Sequence, residues 1–350
     1  MAVITKELIL KALSKVIDPE LNRDLVSLGM IDEIQIDDGK VSFSIILTTP
    51  ACPLRQKIEN DARTAVKAVE GVTDVFISVK AKVREDKKLK ANEDHHIKNV
   101  VAIGSGKGGV GKSTVSVNLA VSLAQSGAKV GILDADIYGP NIPMMMGVSQ
   151  LPPNLPESKI QPAMAYGVKV MSIGFMVQSG QPLIWRGPML HSAIKQFLTD
   201  VDWGELDYLI VDLPPGTGDV QLSLVQTIPP TGGIIVTTPQ QVSIDDAYRA
   251  VSMFEKLEVP VLGIIENMSY LKMADGSIHK VFGEGGGAQL AALAGAKLLG
   301  TIPLESGISQ SGDNGRPIVL FDPNSPAAQE LKGIAQLVAS ELSIRSHQAE

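Results

Sequence analysis

The chain has one cysteine, Cys52, among 350 residues. That scarcity excludes an intramolecular disulfide and any metal site built from several thiolates of one chain. Aromatic residues are also few, at 4%. No apolar run approaches the ~18 residues that a membrane span requires, and the N-terminal MAVITKELILKALSKVIDPE reads as an amphipathic helix rather than a signal peptide. Basic charge is in deficit. A net charge of −7 argues against a general nucleic-acid binder, whose phosphate affinity rests on surplus lysine and arginine. These absences predict a cytoplasmic protein that engages neither membrane nor nucleic acid.

What is present suffices for two domains. Residues 1–86 read as a small α/β domain. It begins with a helix from about Lys6 to Val16 and a hairpin in MIDEIQIDDGKVSFSIIL that turns at Asp38-Gly39. A helix with apolar spacing at Ile58, Ala62 and Val66 follows, and then the strand VTDVFISVKAKV. Residues 87–99 are charged, lack apolar periodicity and read as a linker, in which His95 and His96 are solvated rather than ligands. In residues 100–350 the short apolar runs VVAI, KVGILDAD, VKVMSIGF, DYLIVDLPP, GGIIVTTP, PVLGIIENM and KLLGTIPL alternate with helix-length segments. Such near-continuous Val/Ile/Leu runs mark strands buried on both faces. The expected fold class is therefore α/β: a doubly wound, mostly parallel sheet preceded by a small α/β domain. A C-terminal helix places Leu331, Ile334, Leu337, Val338 and Leu342 on one apolar face, without the aromatic anchors of a membrane-surface helix.

The segment Gly106-Lys107-Gly108-Gly109-Val110-Gly111-Lys112-Ser113 satisfies GxxxxGK[ST], with the strand VVAI before it and a helix opening at Lys112-Ser113-Thr114. Glycines let backbone N–H groups converge on phosphates, and the helix N-terminus adds its dipole. Lys112 is then expected on the outer phosphates and Ser113 on Mg²⁺. Hydrolysis also needs carboxylates. Asp212 ends the apolar strand DYLIVD, the place expected of a carboxylate that holds the metal through water. Gly216 in the following PPGTGD loop can bring an amide to the γ-phosphate. Asp134 and Asp136 end a second strand, and Asp136 is the candidate for holding the attacking water. Met144 to Met146 read as a hydrophobic surface beside this loop, and Gly285-Gly286-Gly287 as the start of a helix packed closely on the sheet.

The loop KGGVGKST, with its early lysine, resembles the deviant Walker A motif of the family that includes the nitrogenase iron protein, MinD, ParA and the Mrp/ApbC proteins. The likeness is strongest to the Mrp/ApbC branch. It runs through LDADIYGPNIP, WRGPML, DYLIVDLPPGTGD, IIVTTPQ, GIIENMSY, FGEGGG and LLGTIPLE. Residues 1–86 resemble the iron-sulfur assembly domain fused ahead of these ATPases, through DPEL, TTPACPL and GVTDVFISV. The resemblance implies an ATP-binding and ATP-hydrolysing homodimer that carries iron-sulfur clusters, with apoproteins and assembly scaffold proteins as partners. It implies that Lys107 acts on the phosphates of the other subunit, that Asn267 contacts adenine, and that Pro303 to Glu305 border the base.

In that family a CxxC pair shortly after ENMSY, one from each subunit, holds the cluster. Here the stretch reads ENMSYLKMADGSIHKVFG, in which Lys272, Met273, Asp275 and His279 fill an ordinary loop and no thiol is present. Clusters favour thiolate, so Cys52 becomes the candidate iron-sulfur ligand. It sits before a helix whose amides are expected to lower its pKa, with Asp18 and Glu20 as neighbours. Two other functions stay open: an ATP-dependent positioning or partitioning switch of the MinD/ParA type, and a nucleotide-controlled assembly scaffold.

Overall fold

The computed structural model describes residues 4–86, 97–153, 159–176, 187–273 and 275–348. The linker histidines His95 and His96, and Trp185 and Arg186 of WRGPML, lie outside the described residues. The chain divides into two compact units, residues 1–84 with 339–350, and residues 85–338.

In the first unit, helix α1 (Lys6–Leu13) starts at Thr5, whose hydroxyl accepts from Leu8 N. Strands β1 (Ile31–Asp37) and β2 (Lys40–Leu47) pair antiparallel around Asp38 and Gly39, both with positive φ as a tight hairpin demands. Helix α2 (Arg55–Lys67) buries the expected Ile58, Ala62 and Val66, and returns the chain to β3 (Asp74–Ala81), parallel to β2. Cys52 belongs to the core formed beneath these elements.

The second unit holds an eight-stranded sheet. Its elements are β4 (Val100–Gly104), α3 (Lys112–Gln125), β5 (Val130–Asp134), α4 (Ile142–Met145), β6 (Ala163–Ala165) and β7 (Val168–Ser172). They continue with α5 (Gly187–Thr199), β8 (Tyr208–Asp212), α6 (Asp219–Thr227), β9 (Gly232–Thr237), α7 (Gln241–Lys256) and β10 (Val261–Glu266). The last are α8 (Gly286–Leu293), β11 (Leu298–Thr301), α9 (Ser306–Asp313), α10 (Ile318–Phe321) and the first half of α11 (Pro326–Gln348), whose residues from Ala339 on belong to the first unit. The spatial order is β11-β10-β9-β4-β8-β5-β7-β6, parallel throughout except that β6 runs antiparallel to β7. All seven strands expected from apolar runs are present, each of the central ones buried along its length. β6 is the addition, a three-residue edge strand too short to leave a pattern.

Two consequences of this topology position a site. The order reverses at β4, between β8 and β9, and the loops leaving the C-terminal ends of β4, β5, β8, β9 and β10 therefore share one edge. Register sets Asp212 of β8 directly opposite Asp134 of β5 and Ile103 of β4. Beneath the sheet the few aromatics are spent on the core: Trp203, Tyr208, Phe197 and Phe254 are wholly buried, and Trp203 Nε1 donates to Phe197 O at 2.7 Å.

In α11, Leu331, Ile334, Val338 and Leu342 are buried as expected, whereas Leu337 is 41% exposed. Among the described residues no helix is long and apolar enough to cross a membrane.

Candidate functional site

The loop between β4 and α3 turns on glycines that nothing else replaces. A Cβ on Gly106 would lie 2.1 Å from the carbonyl carbon of Asp246, so the loop abuts the backbone of α7. Gly111 has φ +86°, and a Cβ there would meet Asn267 Nδ2 at 2.1 Å. Asn267 Nδ2 itself donates to Val110 O at 2.9 Å, tying the end of β10 to the loop. Gly108, Gly109, Val110, Gly111, Lys112, Ser113 and Thr114 line a cleft of ≈ 370 Å³ together with Lys107, Asp136, Tyr138 and Pro215.

At the floor of this cleft the expected residues meet. Lys112 Nζ donates to Asp212 Oδ2 at 2.7 Å and lies 3.5 Å from Asp136 Oδ2. Ser113 Oγ donates to the same Asp212 Oδ2 at 2.7 Å, and Ser116 Oγ donates to Oδ1 at 2.6 Å. Asp212 is wholly buried, so these bonds replace its hydration. Lys107 stands half-buried on the rim, and among the described residues it forms no ion pair.

The two aspartates read as a pair have separate surroundings. Burial, opposed by the Lys112 charge, raises the pKa of Asp136, and its Oδ1 accepts from Tyr138 N at 3.1 Å. Asp134 lies beneath. Its Oδ1 accepts from Asp136 N at 3.1 Å, while Oδ2 accepts from Ser172 Oγ at 2.9 Å and Ile142 N at 3.3 Å. It thereby pins both ends of the loop that carries Asp136. Burial, reinforced by the Asp212 charge, pushes the Asp134 carboxyl up to about 8.

A second cleft, also ≈ 370 Å³, shares Gly111, Thr114, Asn141 and Met145 with the first. Asn267, Pro303, Leu304 and Glu305 form one side, and Met144 with Met145 the other. Met144 is exposed and Met146 buried, so the methionine run is part wall and part core. Gly216, with φ +96°, directs its N–H to Ser105 O at 2.9 Å, and its neighbour Pro215 lines the phosphate-side cleft. Gln221, which the sequence did not single out, donates to Pro215 O and holds this loop.

The expectation of a thiolate at Cys52 is corrected. N–H groups of Leu54 and Arg55 do act on the sulfur in the expected direction, but burial outweighs them and pushes the thiol up to about 11. The neighbouring Glu20 and Asp18 carboxylates push the same way. Among the described residues no three His, Cys, Asp or Glu side chains converge to hold a metal. The ENMSY stretch forms a small hairpin, Leu271–Lys272 against Ile278–His279, and His279 is exposed on it. Glu266 anchors its base, accepting from Gly287 N at 2.6 Å and Ser269 Oγ at 2.7 Å. The glycines at 285–287 open α8 against this glutamate, where a Cβ on Gly287 would come 2.6 Å from Glu266 Cβ.

The sequence profile of the NUBPL iron-transfer P-loop NTPase family matches residues 96–339, and that of the iron-sulfur cluster assembly protein family matches residues 6–79. The chain is 52% identical over 340 residues to the iron-sulfur cluster carrier protein of Deinococcus radiodurans, covering 97% of this chain and 96% of that one. It is 49% identical over 348 residues to the iron-sulfur cluster carrier protein of Synechocystis, covering 97% and 99%. Among solved structures, the nucleotide-binding protein of Archaeoglobus fulgidus in complex with ADP superimposes with a TM-score of 0.58 at 38% identity, over 67% of this chain and 91% of that one. With the phosphate loop, its strand-end carboxylates and these matches in place, the chain belongs to the iron-transfer P-loop NTPase family.

Proposed function

We propose that the chain is an iron-sulfur cluster carrier that binds and hydrolyses ATP as a homodimer and delivers clusters to apoproteins. The observation that carries the nucleotide half of this reading is the meeting of Lys112, Ser113 and Asp212 at the floor of the cleft. The second cleft, continuous with it through Gly111 and Thr114, supplies an apolar seat for the adenine between Met145 and Pro303.

The residues fit Mg²⁺. Ser113 and Asp212 present hard oxygen donors, and Asp212 already holds a cation, the Lys112 ammonium, at 2.7 Å. Held by Ser113 and Asp212, Mg²⁺ would neutralise charge on the nucleotide's phosphates. Lys112 exchanges its aspartates for the phosphates when nucleotide enters. Asp136, with its raised pKa and its backbone pinned by Asp134, orients the attacking water and accepts its proton. The position of Lys107 on the rim, outside any ion pair among the described residues, supports its role on the phosphates of a second copy.

The cargo is a substrate. The homodimer has one thiol per chain, Cys52, and these two attach the cluster transiently, with iron displacing the thiol proton. Hydrolysis of ATP and GTP, each with Mg²⁺ and with chelator, tests the nucleotide assignment. ATP turnover that disappears in chelator is expected, and turnover that survives there contradicts it.

A further inference from the structure

Ser116 lies one turn beyond Lys112 on α3 and is wholly buried. Its hydroxyl is 2.6 Å from Asp212 Oδ1 and 3.1 Å from the carbonyl of Lys112. A serine hydroxyl has one proton, and the shorter contact, to the carboxyl oxygen of Asp212, takes it. The two oxygens of Asp212 therefore have different duties. Oδ1 is bound to α3 through Ser116, and Oδ2 faces the phosphate loop, where Lys112 and Ser113 reach it.

The terminal torsion of an aspartate is broad and roughly two-fold. Without a partner on Oδ1 the carboxylate has nothing to decide which oxygen faces the loop, or at what angle. We propose that Ser116 is the positioning residue of Asp212, holding Oδ1 so that Oδ2 stands beside Ser113 where Mg²⁺ binds. The phosphate-loop pattern ends at Ser113 and does not include it. This inference rests on the reading of Ser113 and Asp212 as the metal site, and it assigns the bond that makes that site rigid. Supporting hydrogen bonds of this kind are worth roughly tenfold or more in metal affinity.

The test is calorimetric titration of the full chain with ADP, in chelator and over a series of Mg²⁺ concentrations. Wild-type protein is expected to bind ADP more tightly with Mg²⁺. Ser116→Ala is expected to keep its chelator affinity within about twofold and to require roughly tenfold more Mg²⁺ for half of the gain. Ser116→Thr retains the hydroxyl and is expected to restore the wild-type requirement. Ser122→Ala, on the same helix, removes a buried hydroxyl that has no hydrogen-bond partner among the described residues and is expected to change nothing. If the alanine variant melts before titration, Ser116→Cys, a weaker donor of similar size, carries the same expectation. A wild-type Mg²⁺ requirement in Ser116→Ala, or equal loss of ADP with and without Mg²⁺, overturns the assignment alone. Wild-type affinity indifferent to Mg²⁺ overturns the metal reading and this inference together.

Discussion

Lys112 Nζ stands 2.7 Å from Asp212 Oδ2, with both side chains buried at the floor of the phosphate cleft. A buried pair is costly to break from one side, because the remaining charge is left without a counter-ion. Lys112→Ala is therefore expected to remove nucleotide binding and also to destabilise the nucleotide-free protein, by about 3 kcal/mol in urea denaturation. A variant that loses nucleotide but keeps wild-type stability contradicts the pairing.

Lys107 makes a different prediction, because it is expected to act on a second copy. Lys107→Ala should retain ATP affinity within about threefold and lose about a thousandfold or more in turnover, which is what a cation acting in trans contributes to phosphoryl transfer. Asp136→Asn should lose turnover as well. Mixed in equal amounts, the two inactive variants should recover about a quarter of wild-type turnover, since half of the dimers are mixed and each has one complete site. No recovery on mixing places both residues in the same subunit's site.

Asp134 gives the nucleotide-free protein a pH dependence with a definite sign. Its carboxyl is raised from 3.8 to about 8 by burial and by Asp212. Between these values the folded state holds a proton that the unfolded state has released, so this contribution to stability is present at low pH and declines as pH rises through 8. In thermal melts without nucleotide or metal, wild-type protein is expected to lose more stability between pH 5 and roughly 8 than Asp134→Asn does. Parallel profiles for the two proteins contradict the assignment.

Cys52 is expected to behave as a buried neutral thiol. With its pKa raised to about 11, alkylation by iodoacetamide should accelerate roughly tenfold per pH unit through pH 9 and 10 without levelling. A plateau below pH 8 means the thiolate exists already and the burial argument is wrong.

The fold was legible where side chains report burial directly. Seven apolar runs became seven strands, and the Asp38-Gly39 turn and the Ile58, Ala62, Val66 face of α2 stand as expected. Helix α1 stops at Leu13, short of Val16, because the N–H groups of Lys15 and Val16 bond only three residues back, to Ala12 O and Leu13 O, in a tighter closing turn. The phosphate loop was legible as a motif, but its supports were not. Ser116, Ser172 and Gln221 are small or neutral polar residues that resemble solvent-facing positions until the carboxylates and carbonyls they bond are brought next to them. One signal was available for Ser116: α3 carries no charge after Lys112, and a surface helix rarely lacks one for so long. Cys52 was misjudged because a helix N-terminus is visible in sequence and the depth of burial is not; the amide effect was real and smaller than desolvation.

This chain carries clusters although its only thiol is Cys52. Anaerobic reconstitution with iron and sulfide, followed by iron counting and transfer to an apo-ferredoxin, puts both parts of that statement to the test. Wild-type protein is expected to take up a cluster and pass it on, and Cys52→Ala to take up none. A wild-type protein that retains no iron contradicts the carrier reading, and full loading of Cys52→Ala contradicts the site.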